Sequence, residues 1–299
     1  FSSRRRHTRY FLASRGLGDV YKRQDHKSVV LEDRLNHASL LDGVRLSGAK
    51  LVRYRHNDAD SVQSKLEQSG DVFTRMIATD AVFSMDGDCA DLKSLYTQAQ
   101  QHDSWLLVDD AHGFGVMGSQ GKGWCVDQLG TETKHTILMA TLGKACGTFG
   151  AFVAGSEALI ETLIQSARTF IYTTAPPPAQ AWATRKALQI LRDEQNRRDQ
   201  LQSLIQYFRA AAGQLGLPLM KSNTPIQPLL VKDTASVNKV SESLRRKHIL
   251  VTAIRPPTVP EGTARLRVTF SAAHTIADID QLLDALHSSF SELSNEIRA

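Results

Sequence analysis

Six short apolar runs, at residues 29–31, 51–54, 75–78, 105–108, 136–140 and 150–154, punctuate the first half of this chain, and longer amphipathic stretches such as 91–101 and 156–166 lie between them. Short, mostly apolar runs predict strands buried on both faces, and the amphipathic stretches predict helices that cover those faces. This alternation points to an α/β fold class, a mainly parallel sheet flanked by helices. In such sheets ligands bind beyond the carboxyl ends of the strands. Two of the predicted strands lead into residues capable of chemistry. Trp105-Leu106-Leu107-Val108 runs into Asp109, Asp110, Ala111 and His112, and the run ending at Ala140 continues through Thr141 to Lys144, set among Gly143, Gly147 and Gly150.

A lysine presented at the end of a buried strand is desolvated, and its amine becomes a usable nucleophile. A strand ending in Asp and His, followed by one ending in Lys, fits a pyridoxal-phosphate site. Lys144 forms the Schiff base and Asp109 pairs with the pyridinium nitrogen. Asp110 is expected to point elsewhere, because neighbours on a strand alternate in direction. Asp109 and His112 could instead ligate a metal, but no third ligand stands at suggestive spacing, and no metal is expected. Gly121-Lys122-Gly123 has too few features for a nucleotide loop.

The second half reads differently. Pro176-Pro177-Pro178 breaks the chain before a helical pattern over 179–215, whose apolar positions are Leu188, Leu191, Leu201, Leu204, Ile205 and Phe208. Its fully polar middle, 193–200, predicts exposure or a break. Strands are then predicted at 226–231, 250–254 and 264–270, with a helix at 235–247. A last helix starts near Thr275 with Asp278 three residues on, as in a capping box. Its apolar face carries Ile276, Ile279, Leu282, Leu283 and Leu286. These elements predict a small C-terminal α+β domain over 186–299, after a partial large domain over 25–185.

The 36 basic and 31 acidic residues are unevenly placed. Residues 1–24 hold seven of the basic and one of the acidic residues, which leaves 29 and 30 in the rest, so the body is close to neutral. The head lacks clear periodicity and is expected to be non-native, adapter-derived sequence; the competing reading is a nucleic-acid arm. Deleting it discriminates, since only an artefact leaves no salt-sensitive nucleic-acid binding to lose. Cys89, Cys125 and Cys146 form no CxxC pair, and no run is long enough to span a membrane. A cytoplasmic location without membrane or nucleic-acid partners is therefore expected.

Seven ordered stretches carry a more specific signal. They are DRLNHASLLDGVRLS (33–47), RYRHND (53–58), VFSMDGD (82–88), LLVDDAHGFGVMG (106–118), TLGKACGTFGAF (141–152), IQPLLV (226–231) and AIRPPTVPEGTARLRVTFSAAHT (253–275). Together they resemble the α-oxoamine synthases, fold-type-I pyridoxal-phosphate enzymes, from about Asp25 to the C-terminus. The resemblance implies that Lys144 anchors the cofactor and later serves as base at the substrate α-carbon. It implies that Asp109 holds the ring nitrogen protonated, that His112 and Ser84 hydrogen-bond the phenolic oxygen, and that His37 stacks on the ring. Thr141 would bind the phosphate, with Thr174 doing so from a neighbouring subunit of a homodimer. Arg267, with Arg255, would hold the substrate carboxylate. Arg168 and Tyr172 are candidates for the site or the dimer contact.

The implied reaction is a decarboxylative condensation of an amino acid with an acyl thioester. RYRHND and RPPTVPEGTARLR favour the biotin-pathway branch, in which L-alanine meets a pimeloyl thioester, over branches that use glycine or serine. Two departures stand out. Asp80 occupies a position where the family usually has Glu, and the family's N-terminal portion, with a glycine-containing loop that touches the phosphate, is missing, which makes an inactive fragment a further alternative.

Overall fold

The apolar runs become strands with the predicted alternation. A computed structural model of the chain describes residues 28–70, 72–131 and 134–298, with side chains through 293; the basic head lies outside the described residues. Strands β1 (Ser28–Asp33), β2 (Lys50–Tyr54), β3 (Thr74–Asp80), β4 (Trp105–Asp109), β5 (Thr136–Thr141) and β6 (Ala151–Ala154) form one sheet in the order β2-β1-β3-β4-β5-β6. Every neighbouring pair is parallel except β5 and β6, which run antiparallel. The helices between them are α1 (Ala38–Ser47), α2 (Ala59–Glu67), α3 (Leu92–Gln101) and α4 (Trp124–Leu129), followed by α5 (Glu157–Ser166), α6 (Arg168–Ile171) and α7 (Pro178–Asp193).

Strand residues alternate between two cores, as the pleat requires. Val29, Leu31, Ile77, Leu106 and Val108 face one side, packed with Val62 and Leu66 of α2, Leu92 and Leu95 of α3, and Cys125 of α4. Val30, Met76, Ala78, Leu107 and Ile137 face the other, packed with Leu40 and Val44 of α1 and Ile160 and Leu163 of α5. Both faces are covered, so the apolar runs are continuous rather than alternating.

The chain forms two compact units. The first runs from β1 to Phe83 and from Cys89 to Glu194; the second takes Ser84–Asp88 and everything from Gln195 on. The expected boundary at 185/186 therefore falls later, because Ala187, Leu188 and Leu191 of α7 pack with Leu142, Cys146 and Phe152. The predicted break in the long helix lies at Glu194, between α7 and α8 (Gln195–Gln214). The second unit adds β7 (Ile226–Lys232), α9 (Thr234–Arg246), β8 (Thr252–Ile254), β9 (Ala264–Thr269) and α10 (Ile276–Arg298), with an antiparallel sheet in the order β7-β9-β8. The Thr275 and Asp278 side chains each accept the other's backbone N–H, closing the predicted capping box. Two expectations are corrected: Leu250 lies outside β8 and is 90% exposed, and Ile276 stays exposed in the first turn of α10.

One buried group in the first unit was not foreseen. Glu32 ends the apolar run of β1 yet is fully buried, and neither carboxyl oxygen has a hydrogen-bond partner. Its cross-strand neighbour is Arg53, whose guanidinium donates to the Arg34 carbonyl and leaves a buried Nε unpaired. Burial pushes the Glu32 carboxyl up to about 7, against the opposing charges of Arg53 and Arg45. Below the unfolded value of 4.5 both states are protonated and nothing is lost. As pH rises from there to about 7, only the unfolded chain ionises, so stability falls. Glu32→Gln should therefore match the parent at pH 4 and exceed it by about 2–3 kcal/mol at pH 8. Urea melts at the two pH values check this, and a pH-independent difference would refute it.

Candidate active site

The carboxyl edge of the large sheet gathers the chemistry. β3 and β4 pair in parallel so that Asp80 lies opposite Asp109, each as the last residue of its strand. Asp109 is buried, and its Oδ1 accepts from the Ala111 N–H at 3.0 Å. Asp80 is buried too. Its Oδ2 accepts from the His37 N–H at 3.1 Å, while its Oδ1 is sealed from solvent without a partner. Burial raises both carboxyls. Asp80 lies well above the ordinary range, pushed further by the Asp109 charge, while the Ala111 N–H, Lys144 and His37 pull Asp109 back down. The expected standing charge on Asp109 thus requires a cationic neighbour, because desolvation works against it.

Asn36 and His37 are latched to the same edge. The Asn36 side chain accepts from the Asp80 N–H at 3.0 Å and donates to the Ala78 carbonyl at 2.9 Å. His37 is the N-cap of α1, with Nδ1 2.8 Å from Ser39 Oγ and accepting from the Ser39 N–H. One ring nitrogen is therefore committed to the cap, which orients an imidazole that is exposed.

Lys144 sits in the 142–150 loop between β5 and β6, and its charge reaches both Asp80 and Asp109. It is exposed rather than desolvated, which corrects the sequence expectation. Leu142 and Cys146 turn into the core and leave Lys144 on the outward side of the loop. The loop is closed by Leu142 N–H to Gly150 O at 2.8 Å and Gly147 N–H to Lys144 O at 2.9 Å. Thr141 ends β5; its hydroxyl donates to Gly150 O and accepts from the Gly143 N–H. His112 is half-buried just past β4, and Thr174 is exposed before α7. Arg168 lies over the exposed Tyr172 ring, 4.9 Å from its centroid.

Ser84, Arg255 and Arg267 belong to the second unit. Arg267, on β9, donates from Nη1 to the Ser84 carbonyl at 3.3 Å, and its Nε is buried without a partner. Arg265, two residues earlier on the same strand, forms a 2.6 Å ion pair with Asp86. Arg255 is exposed beyond β8. The roles of Asn36 and Arg265 were missed, and only their place inside NHASL and ARLR marked them. Among the described residues no group of three or more His, Cys, Asp or Glu side chains is arranged to hold a metal, and no helix is long and apolar enough to cross a membrane.

The residues of the carboxyl edge suit a protonated pyridine. Two buried carboxyls side by side, one with an orphaned oxygen, favour a cation beside them, and a lysine amine and threonine hydroxyl lie on the adjoining strand end and loop. Comparison with known proteins agrees. The class I and II aminotransferase family matches residues 11–286, beginning inside the basic head. An 8-amino-7-oxononanoate synthase of Thioalkalivibrio sulfidiphilus is 56% identical over 281 residues, 93% of this chain and 71% of the relative. The crystal structure of the Francisella tularensis 8-amino-7-oxononanoate synthase superposes with a TM-score of 0.83 at 30% identity, over 95% of this chain and 82% of that one. A serine palmitoyltransferase of S. paucimobilis, solved with bound PLP and myriocin, superposes with a TM-score of 0.90 at 25% identity, over 96% and 73%. The chain belongs to the class I and II aminotransferase family and, within it, to the 8-amino-7-oxononanoate synthases.

Proposed function

We propose that this chain condenses L-alanine with a pimeloyl thioester to give 8-amino-7-oxononanoate, releasing carbon dioxide and the free thiol, in biotin synthesis. The observation that carries the reading is Asp109, buried at the carboxyl end of β4 with the Lys144 charge acting on it from the next loop. Pyridoxal phosphate, when bound, supplies an electron sink for negative charge at the substrate α-carbon.

The chain's own residues divide the remaining work. Lys144 Nζ would hold the cofactor covalently and then accept the alanine α-proton. Asp109 would keep a proton on the ring nitrogen, and the buried Asp80 beside it would strengthen the negative potential there. His112 and Ser84 would hydrogen-bond the phenolic oxygen. The His37 imidazole, oriented by its cap to Ser39, would stack on the ring. Thr141 would bind the phosphate through its hydroxyl. Arg267 offers its unpaired Nε to the alanine carboxylate, with Arg255 as the second cation. Arginine suits this because its planar fork matches a carboxylate at two points.

A second copy of the chain completes the proposal. Phe149, Tyr172 and Trp182 are 59%, 72% and 68% exposed, and only Thr184 of α7 is buried. Large exposed apolar side chains of this kind favour a homodimer, in which Thr174 would reach the partner's phosphate. A cytoplasmic location is consistent with the buried free thiols of Cys125 and Cys146.

Three outcomes are expected. Added pyridoxal phosphate should give a visible absorption band that borohydride removes and Lys144→Ala abolishes; a band that survives the substitution would refute the lysine assignment. Alanine should exceed glycine and serine in kcat/KM, and a clear preference for glycine would move the chain to a sister branch. Arg267→Ala should raise the alanine KM by about one to two orders of magnitude, as expected for losing charge-assisted hydrogen bonds to a carboxylate. An unchanged KM in steady-state assays would place the carboxylate elsewhere.

A further inference from the structure

Asp110 follows the proposed ring-nitrogen partner in sequence, yet its side chain serves a different structure. It is fully buried, and its Oδ2 accepts from the Cys125 N–H at 2.9 Å, the second residue of α4. The α4 N-cap is Gly123, which has no side chain to satisfy the first N–H groups, so Asp110 caps the helix from across the loop. The N–H groups of Gly113 and Trp124 also favour its carboxylate form. Two glycines make room for this carboxylate. A Cβ at Gly113 would lie 2.1 Å from Oδ1, and one at Gly123 would lie 2.2 Å from Oδ2. Gly113 has an ordinary negative φ, so space rather than backbone conformation demands glycine there. The same loop is tightened by Phe114 N–H to Asp110 O at 2.9 Å, Gly115 N–H to Gly121 O at 2.8 Å and Gly123 N–H to Met117 O at 2.9 Å. His112 stands between Asp110 and the first of the two glycines.

We propose that Asp110 is a positioning residue: its carboxylate anchors the 111–123 loop to the start of α4 and thereby sets where His112 sits. The functional half of this rests on the reading of His112 as a contact of the cofactor's phenolic oxygen. Asp110 itself touches neither cofactor nor substrate. Its Oδ2 takes the Cys125 N–H, which would otherwise be buried and unpaired, while Oδ1 has no partner, so losing the one acceptor frees the loop from the start of α4.

Asp110→Ala removes the acceptor of the Cys125 N–H. Amide hydrogen exchange of segment 111–125, measured without cofactor, should become about ten-fold faster, the expected result of losing a helix cap. Gly113→Ala, which presses on the same carboxylate from the other side, should reproduce it. Unchanged exchange in either folded variant overturns the proposal. With pyridoxal phosphate added, Asp110→Ala should shift the wavelength of the visible band in the same direction as His112→Ala, and should add nothing further in the His112→Ala background. Additive shifts would show that Asp110 acts independently of His112 and would overturn the positioning role. If the parent chain forms no Lys144-dependent band, the cofactor reading fails, while the exchange measurement still decides whether Asp110 anchors the loop.

Discussion

The parallel pairing of β3 with β4 is the constraint from which the candidate site follows. Its register sets Asp80 opposite Asp109, and the same ladder continues through Ala81 N–H to Asp109 O at 2.8 Å and Asp110 N–H to Met139 O at 2.7 Å. The ends of three strands are thereby stitched at one level. A slip of one residue would turn every side chain to the opposite face, exchanging the two apolar cores as well as the carboxyls. Leu106 and Val108 hold one core and Leu107 the other, so the register is enforced by packing along the whole strand. Site geometry and core packing are here one requirement.

That requirement concentrates buried acid. Glu32, Asp80, Asp109 and Asp110 are all buried in the first unit, and burial raises the proton affinity of each. Their local compensation differs. Asp110 takes the Cys125 N–H at a helix start and Asp80 the His37 N–H, each with Oδ2, and each leaves a buried Oδ1 without a partner. Glu32 has a cross-strand arginine whose hydrogen bonds go elsewhere. The Asp80–Asp109 pair lacks enough donors of its own, and this deficit is what favours a cationic ring nitrogen there.

The strands were legible because burial on both faces leaves uninterrupted apolar runs, and the capping box at Thr275 was legible because its partners are three residues apart. Polar residues inside strands were not. The apolar run of β1 stops at Leu31, whereas the strand continues through Glu32 to Asp33. Asp33 is held by His56 Nδ1 at 2.9 Å and the Asn57 N–H at 2.9 Å, partners more than twenty residues away that no local period announces. Lys144 was misjudged for a related reason. Its exposure follows from which loop neighbours turn inward, and that is decided by the core around Phe114 and Phe152. The sequence places Lys144, Asp109 and His112 after the ends of β4 and β5, where the structure has them; the environment that tunes each is tertiary.

Strand β9 shows how one short motif carries two duties. In ARLRVT, Ala264, Leu266 and Val268 are buried in the second unit's core, which leaves Arg265 and Arg267 on the other face by the strand's period of two. Both arginines grip the excursion Ser84–Asp88. Arg265 is neutralised by Asp86, while Arg267 donates to the Ser84 carbonyl and the Met85 sulfur and, among the described residues, keeps a buried Nε unpaired. A charge already satisfied by a carboxylate gains little from a second, whereas an unsatisfied buried donor gains the most from an anionic ligand. The same strand face thus holds an arginine paired with a carboxylate, Arg265, beside one with a donor left over, Arg267, as the proposed carboxylate contact needs. Exchanging either arginine for lysine would keep the charge and lose the fork geometry on which that division depends.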